Sequence, residues 1–131
     1  DLTGLISFTR FKEEVERVLA NDSISSYVMV YTDFENFKYF NQKWGYQMGD
    51  RLLREFSNYI IGTMQQEEQI YFTRVVSDQF LLFMPYKKRS DTAEAVDRLN
   101  QTFVEQQEKI FPDTRIRIRT GIYFIEEANG N

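Results

Sequence analysis

The feature that most constrains this chain is the stretch 27–50, which reads YVMVYTDFENFKYFNQKWGYQMGD. It opens with a short apolar run at 27–31 that is rich in β-favouring residues, so it predicts a buried central strand. Aromatic residues from Phe37 to Trp44 then recur at the spacing of one helix face. Asp33 lies between strand and helix, the position at which open sheets hold metals and phosphates.

Acids that follow strands are also common as turn residues and helix caps, so Asp33 and Glu35 alone leave a structural role open. A wider set of motifs favours a site. The stretch 33–50 resembles the D-x-D-x-F-K-x-x-N-D-x-x-G-H-x-x-G-D signature of GGDEF domains, and DLTGL at 1–5 and RVVSDQF at 74–80 stand where that family has its lead-in and R-x-G-G-D-E-F. Because several spaced motifs agree along nearly the whole chain, the sequence is identified as a GGDEF-like domain.

Composition removes several classes of site. The 131 residues include neither His nor Cys, which excludes His-based triads, imidazole zinc sites and disulfides and leaves carboxylates for metal or proton chemistry. The net charge of −4 disfavours a nucleic-acid surface, and no signal peptide or run of transmembrane length suggests membrane contact. We expect a single domain over 1–131, excised from a longer protein and lacking the family's last helix and strand.

The periodicities predict the order α-β-α-α-β-β-α-β, in which a hairpin lies between β-α units. This order favours a mixed, mostly antiparallel sheet flanked by helices, and the resemblance implies the ferredoxin-like, palm-type fold of nucleotidyl cyclases. The first half is predicted to hold a helix capped by Ser7 and ending near Ala20, a strand at 27–31, a helix at 36–44, and a helix that resumes at Asp50 and frays near Gly62. The second half is predicted to hold strands at 70–75 and 80–84, a helix and a strand at 115–124. That helix begins at a capping box formed by Asp91 and Glu94, and its inner face carries Val96, Leu99, Phe103 and Ile110. We interpret the arginines of the last strand as the solvent face of an edge strand, in preference to a phosphate-binding row.

The resemblance also implies a chemistry, since GGDEF domains are diguanylate cyclases in which two domains condense two GTP molecules into cyclic di-GMP with the help of Mg²⁺. It assigns two sets of residues here: metal ligands Asp33, Asp78 and the carbonyl of Phe34, and nucleotide ligands Asn36, Phe37, Asn41 and Asp50. Reading of guanine by an amide and a carboxylate is physically reasonable, because together they match its O6 acceptor and its N1–H and N2–H₂ donors.

The motif itself departs from the family, because Val76-Ser77-Asp78-Gln79-Phe80 replaces G-G-D-E-F. Two Cβ atoms narrow a turn that a nucleotide must approach and restrict positive φ. Gln79 keeps the shape of the motif Glu but loses its charge, and loss of an acid–base group costs about 10²–10⁴ in rate. We therefore expect an inactive cyclase homologue with no intact catalytic residue.

Three hypotheses follow for function. The first is a regulatory module of a bacterial, cytoplasmic cyclic di-GMP signalling protein, which binds GTP with Mg²⁺ and controls a neighbouring EAL or sensor domain. The second is a structural or dimerisation domain that binds no nucleotide. The third is a slow diguanylate cyclase or NTP hydrolase that uses Asp33 and Asp78.

Overall fold

The computed structural model describes residues 5–21, 26–64 and 70–125, and every structural statement below concerns those ranges. The elements are β1 (Leu5–Ile6), α1 (Phe8–Asn21), β2 (Tyr27–Glu35), α2 (Phe37–Trp44), α3 (Tyr46–Met64), β3 (Tyr71–Val76), β4 (Gln79–Pro85), α4 (Arg89–Ile110) and β5 (Arg117–Ile125). The segments 1–4, 22–25, 65–69 and 126–131 lie outside the described residues, and with them most of the predicted lead-in.

The strands form one five-stranded sheet in the order β1-β3-β4-β2-β5. β1 is parallel to β3, and every other neighbouring pair is antiparallel. The predicted fold class, a mixed and mostly antiparallel sheet flanked by helices, is confirmed. β2 lies between β4 and β5, so the strand that carries Asp33 is central, as its apolar run indicated, but it continues past the predicted end at Tyr31 to Glu35, and Asp33 lies within it.

Alternation along the strands divides the core into two parts, because successive side chains of a strand point to opposite faces. On one face, Phe34 and Phe80 pack with Phe56 of α3 and Phe103 of α4 in edge-to-face contacts between buried rings. On the other face, α1 covers a smaller cluster in which the ring of Tyr27 stacks on that of Phe83 at 4.9 Å. Aromatic side chains thus contribute to the core on both faces of the sheet.

The helix starts show where local patterns were insufficient. Ser7 caps α1 as predicted, since its Oγ accepts a hydrogen bond from the Arg10 amide at 3.1 Å. α3 begins at Tyr46 and not at Asp50, because Gly45 takes a φ of 95° that turns the chain directly into the next helix. The predicted capping box of α4 is wrong: this helix begins at Arg89 after Lys88, which caps it with no side-chain hydrogen bond.

Two further predictions need correction. Leu5 was expected in the lead-in at 1–5, but with Ile6 it forms a short strand that pairs with β3, and Thr73 secures it by donating a hydrogen bond to the carbonyl of Ile6 at 2.7 Å. Ile110, expected on the inner face of α4, is exposed. Gln107 and Phe111 are buried in its neighbourhood instead. No helix within 5–21, 26–64 and 70–125 is both long and apolar enough to cross a bilayer.

Candidate functional site

The end of β2 lies between two segments that are distant in sequence. On one side β5 runs antiparallel to β2, with Arg119 directly opposite Asp33. On the other side β3 and β4 form the predicted hairpin, whose tip at Ser77 and Asp78 reaches the backbone of Phe34. The sequence-predicted metal ligands therefore do come together at one edge of the sheet.

Asp33 is buried, and both of its carboxylate oxygens accept hydrogen bonds from protein groups. Arg119 binds it through a fork of two hydrogen bonds, Nε to Oδ1 at 2.8 Å and Nη2 to Oδ2 at 3.2 Å. The Tyr31 hydroxyl donates a third hydrogen bond to Oδ2 at 2.7 Å. Forked pairing of this kind fixes geometry as well as charge.

The ionisation of this cluster follows from these contacts. Burial raises the pKa of Asp33, but the hydrogen bonds from Arg119 and Tyr31 and the charge of Arg119 outweigh it, so this pKa lies below the ordinary value. The pKa of Tyr31 is raised to about 12, first by its hydrogen bond to Asp33 and then by burial and by the charges of Asp33 and Asp78. Asp33 thus stabilises the fold above about pH 4 and loses this contribution as pH falls, whereas Tyr31 contributes fully below about pH 10 and loses its contribution as pH rises.

Replacement of Asp33 by asparagine is expected to lower the pKa of Tyr31 from about 12 toward about 10, because the amide carries no charge and is a weaker acceptor. The measurement is a ¹³C NMR titration of tyrosine-labelled protein, with the signal assigned by its loss in Tyr31→Phe. Asp78→Asn is the matched control, since Asp78 acts on Tyr31 through its charge alone, and it should lower this pKa less. An unchanged pKa in Asp33→Asn would contradict the contact.

Asp78 is also held by the protein. Its Oδ2 accepts a hydrogen bond from the Phe34 backbone amide at 2.9 Å, which ties the hairpin tip to the end of β2. Ser77 adopts the positive φ of 51° that glycine would take in this turn, and Val76 points into solvent. The tip therefore keeps a tight turn despite its two extra Cβ atoms.

This arrangement does not fit Mg²⁺. Magnesium requires several oxygen ligands in near-octahedral geometry, whereas Asp33 is paired with a guanidinium and Asp78 with an amide. Across the described part of the chain, no three Asp or Glu side chains lie close enough together to hold a metal ion. Asp33, Phe34 and Asp78 are neighbours as predicted, but they contact protein groups. Asp33 accepts hydrogen bonds from Arg119 and Tyr31, and Asp78 accepts one from the Phe34 amide.

A pocket of about 340 Å³ lies between β1 and α3, at the other end of the predicted site. Asp50 lines it together with Leu5 and Leu53, and Arg54 and Arg74 contribute positive charge. Asp50 is exposed, so its carboxylate is available to a ligand. The pocket thus combines an acid, apolar walls and cationic side chains.

Asn41, on α2, packs against Gly49, the residue that precedes Asp50. A Cβ built on Gly49 would come within 1.8 Å of Asn41 Oδ1 and 3.2 Å of the Phe37 ring, so only glycine allows this close packing of α2 on α3. Asn41 Oδ1 is buried, and nothing in the described ranges donates a hydrogen bond to it. Unsatisfied buried acceptors are rare in folded proteins, so this amide oxygen is one that a ligand or a water could satisfy.

The remaining predicted nucleotide ligands lie elsewhere. Asn36 has a left-handed backbone with a φ of 60° before α2, and the Phe37 ring packs parallel to that of Phe40. Together with Phe34 they line a cavity of only about 10 Å³, which holds at most a single water. Their side chains face a space too small for a base, and the predicted role of Asn36 and Phe37 in nucleotide binding stays a prediction.

Two features were not foreseen from the sequence. Arg119 and Tyr31 complete the cluster around Asp33, and no local pattern indicated it because Arg119 lies 86 residues from Asp33. A groove of about 660 Å³ between α4 and β5 is larger than the Asp50 pocket, but its rim mixes acids and bases such as Asp97 and Arg98, and Asn41, Asp50 and Asp78 lie outside it.

Comparison with known proteins decides the family. The model of the family described as "Diguanylate cyclase, GGDEF domain" matches residues 1–131. The chain belongs to the GGDEF family. This GGDEF domain is 27% identical over 104 residues to diguanylate cyclase DgcN of Escherichia coli, covering 78% of this chain and 25% of that protein. It is 30% identical over 94 residues to the biofilm architecture maintenance protein MbaA of Vibrio cholerae, covering 67% of this chain and 12% of MbaA.

Solved structures agree on the fold. The GGDEF domain of DgcB from Caulobacter crescentus, crystallised with c-di-GMP, superposes with a TM-score of 0.73 at 19% identity over 97% of this chain and 74% of that one. A Vibrio cholerae LapD structure that comprises an S helix, a GGDEF domain and an EAL domain gives a TM-score of 0.63 at 16% identity, over 92% of this chain and 27% of that one. At these identities the likeness establishes the GGDEF architecture of the sheet and helices.

Proposed function

We propose that this domain is a catalytically inactive GGDEF domain that binds guanine nucleotide and whose nucleotide-bound state controls a neighbouring domain. The observation that carries this proposal is the Asp50 pocket. Its volume of about 340 Å³ falls within the range of about 300–1,000 Å³ that is usual for small-molecule sites. The acid and the apolar walls, with the Asn41 amide packed on the residue next to Asp50, have the chemistry that a guanine base requires.

The base is expected to enter with its hydrogen-bonding edge toward Asp50. A carboxylate accepts the N1–H and N2–H₂ donors of guanine together, which adenine cannot supply in the same pattern. Leu5 and Leu53 line the same pocket and offer apolar contact to the faces of the ring. Arg74 links the pocket to the hairpin, because its Nε–H donates to the carbonyl of Ser77, and its charge favours phosphate groups on that side.

Absence of cyclase activity is supported by the hairpin and the acids. Gln79 provides neither the charge nor the proton acceptor of the motif Glu. Phosphoryl transfer depends on metal ions that bridge the phosphates, and both predicted metal-binding acids are engaged by protein groups. The domain then serves as a sensor whose output lies in its neighbour, for which an EAL or sensor domain in a bacterial, cytoplasmic protein is our expectation.

Replacement of Asp50 by alanine is expected to weaken GTP binding at least tenfold, about 1.4 kcal/mol, because the base loses its paired acceptor. The measurement is calorimetric titration of the full-length protein with GTP, and with ATP to establish base selectivity. Glu108→Ala is the matched control, since Glu108 is an exposed acid on α4, and it should leave the affinity unchanged. Equal weakening by both variants would mean that general charge, not the pocket, governs binding.

A second candidate function is a domain that binds no nucleotide and serves structure or dimerisation. The hydrogen bonds of Asp33 to Arg119 and of Asp78 to the Phe34 amide favour it, because these acids are then not free to bind the metal that accompanies a nucleoside triphosphate. In that case titration with GTP, GDP and cyclic di-GMP gives no heat. Residual turnover of GTP that is lost in Asp33→Ala would instead favour a slow enzyme.

A further inference from the structure

The position at which the family resemblance places a divalent metal contains a side-chain cation. Arg119 meets both carboxylate oxygens of Asp33 at 2.8 and 3.2 Å, and Tyr31 donates to Oδ2 at 2.7 Å. A carboxylate offers about four lone-pair sites, and these contacts use three of them. The negative charge that a metal would balance is thus already balanced by the protein.

The contact with Asp33 leaves part of the Arg119 side chain accessible. This side chain is 63% exposed, whereas that of Asp33 is 10% exposed. Arginine carries five N–H donors, and the two hydrogen bonds to Asp33 leave three of them for other partners. A guanidinium that is anchored on one edge and open on the other presents a fixed fork to a further anion, and phosphate oxygens match that fork.

A divalent cation at Asp33 would find three of the roughly four lone-pair sites of its carboxylate taken by Arg119 and Tyr31. The other acid at this edge, Asp78, has one oxygen bound to the Phe34 amide. Arg119 also supplies a positive charge beside Asp33 that opposes a second cation there. Both the ligand count and this charge therefore disfavour a metal while Arg119 is present.

We propose that Arg119 is the resident cation of this site, taking the place of the divalent metal, so that the nucleotide phosphates are met by its guanidinium and binding requires no Mg²⁺. This inference rests on the proposed function for the nucleotide itself. The replacement of the metal is a separate claim, and a metal can test it without any nucleotide.

The first arm of the experiment compares GTP affinity in Mg²⁺ with that in EDTA, using the full-length protein. The affinity of the unaltered protein is expected to change less than about twofold, whereas Arg119→Gln should lose about tenfold in EDTA because the phosphates then lose the cation anchored on Asp33. Arg117→Gln is the matched control on the same strand and face, and it should resemble the unaltered protein. A tenfold loss in EDTA by the unaltered protein overturns the proposal and leaves nucleotide binding intact.

The second arm uses Mn²⁺ alone as the probe, with free Mn²⁺ measured by electron paramagnetic resonance. The unaltered protein is expected to bind no Mn²⁺ at Asp33, and Arg119→Gln should gain a weak site that the double variant with Asp33→Asn loses. Circular dichroism confirms that each variant is folded. Mn²⁺ binding by the unaltered protein that Asp33→Asn abolishes overturns the proposal, as does the absence of any gained site in Arg119→Gln.

The two arms separate the two claims. If GTP fails to bind under both conditions while Arg119→Gln gains its Mn²⁺ site, the proposed function is wrong and the replacement of the metal by Arg119 stands. If GTP binds only with Mg²⁺, the proposed function stands and the replacement is wrong.

Discussion

Replacement of Phe56 by alanine is expected to lower the free energy of unfolding by about 3–5 kcal/mol. Phe56 is almost fully buried, and its ring makes edge-to-face contacts with Phe34, Phe80 and Phe103 at 5.1–5.2 Å between centroids. The truncation loses the transfer free energy of the ring and leaves a cavity between α3 and the sheet. Rigid aromatic neighbours fill such a cavity poorly, which places the cost near the upper part of this range.

The measurement is equilibrium unfolding in urea, followed by far-UV circular dichroism. Tyr46→Ala is the control, because Tyr46 is an aromatic residue on the same helix that is 77% exposed, and it should change stability by less than about 0.5 kcal/mol. Because Phe34 follows Asp33, Phe56→Ala should also loosen the end of β2. Similar losses in both variants would contradict the assignment of the core.

Replacement of Gly49 by alanine is expected to destabilise the domain by about 1–3 kcal/mol and to impair GTP binding at least tenfold. The new Cβ would lie 1.8 Å from Asn41 Oδ1 and 2.9 Å from its Cγ, so the Asn41 side chain must leave its buried position between α2 and α3. Asn41 then no longer packs against the residue that precedes Asp50.

Gly62→Ala in the same helix provides a control of opposite sign. A Cβ at Gly62 meets nothing within 4 Å, so alanine there should stabilise α3 by about 0.5–1 kcal/mol through its better helix propensity. Urea unfolding and GTP titration of both variants check the pair. Retained GTP affinity in Gly49→Ala would show that Asn41 does not contact the base, and that result would leave the role of Asp50 to its own variant.

The fold was largely predictable because its signals are local. The alternation along β2 and the period of the helices follow from the positions of Phe, Leu and Val, and hairpin patterning predicted the tip at Asp78. The two-residue strand β1 was not predicted, because it is too short to show a period and its pairing with β3 depends on residues near Thr73. The early start of α3 escaped because Gly45 turns the chain between two helices without the loop that glycine usually indicates.

The residues of the proposed base site, Asn41 and Asp50, lie within one continuous stretch, so the sequence could name them together. Their relation depends on the packing of α2 on α3, which requires glycine at position 49. The surroundings of Asp33 could not be predicted in this way. Asp33, Phe34 and Asp78 were predicted as neighbours, but the sequence favoured a metal between them and treated the arginines of β5 as a solvent face.

The sequence by itself determined the family, the central position of β2 and the presence of an acid, Asp33, near the end of that strand. Only the tertiary structure decided what that acid binds. The partner of Asp33 depends on which strand lies beside β2 and in which register, and a shift of one residue would have turned Arg119 to the opposite face of the sheet. Register over 86 residues is set by the packing of the whole core, because no local preference of β5 distinguishes Arg119 from its neighbour Arg117.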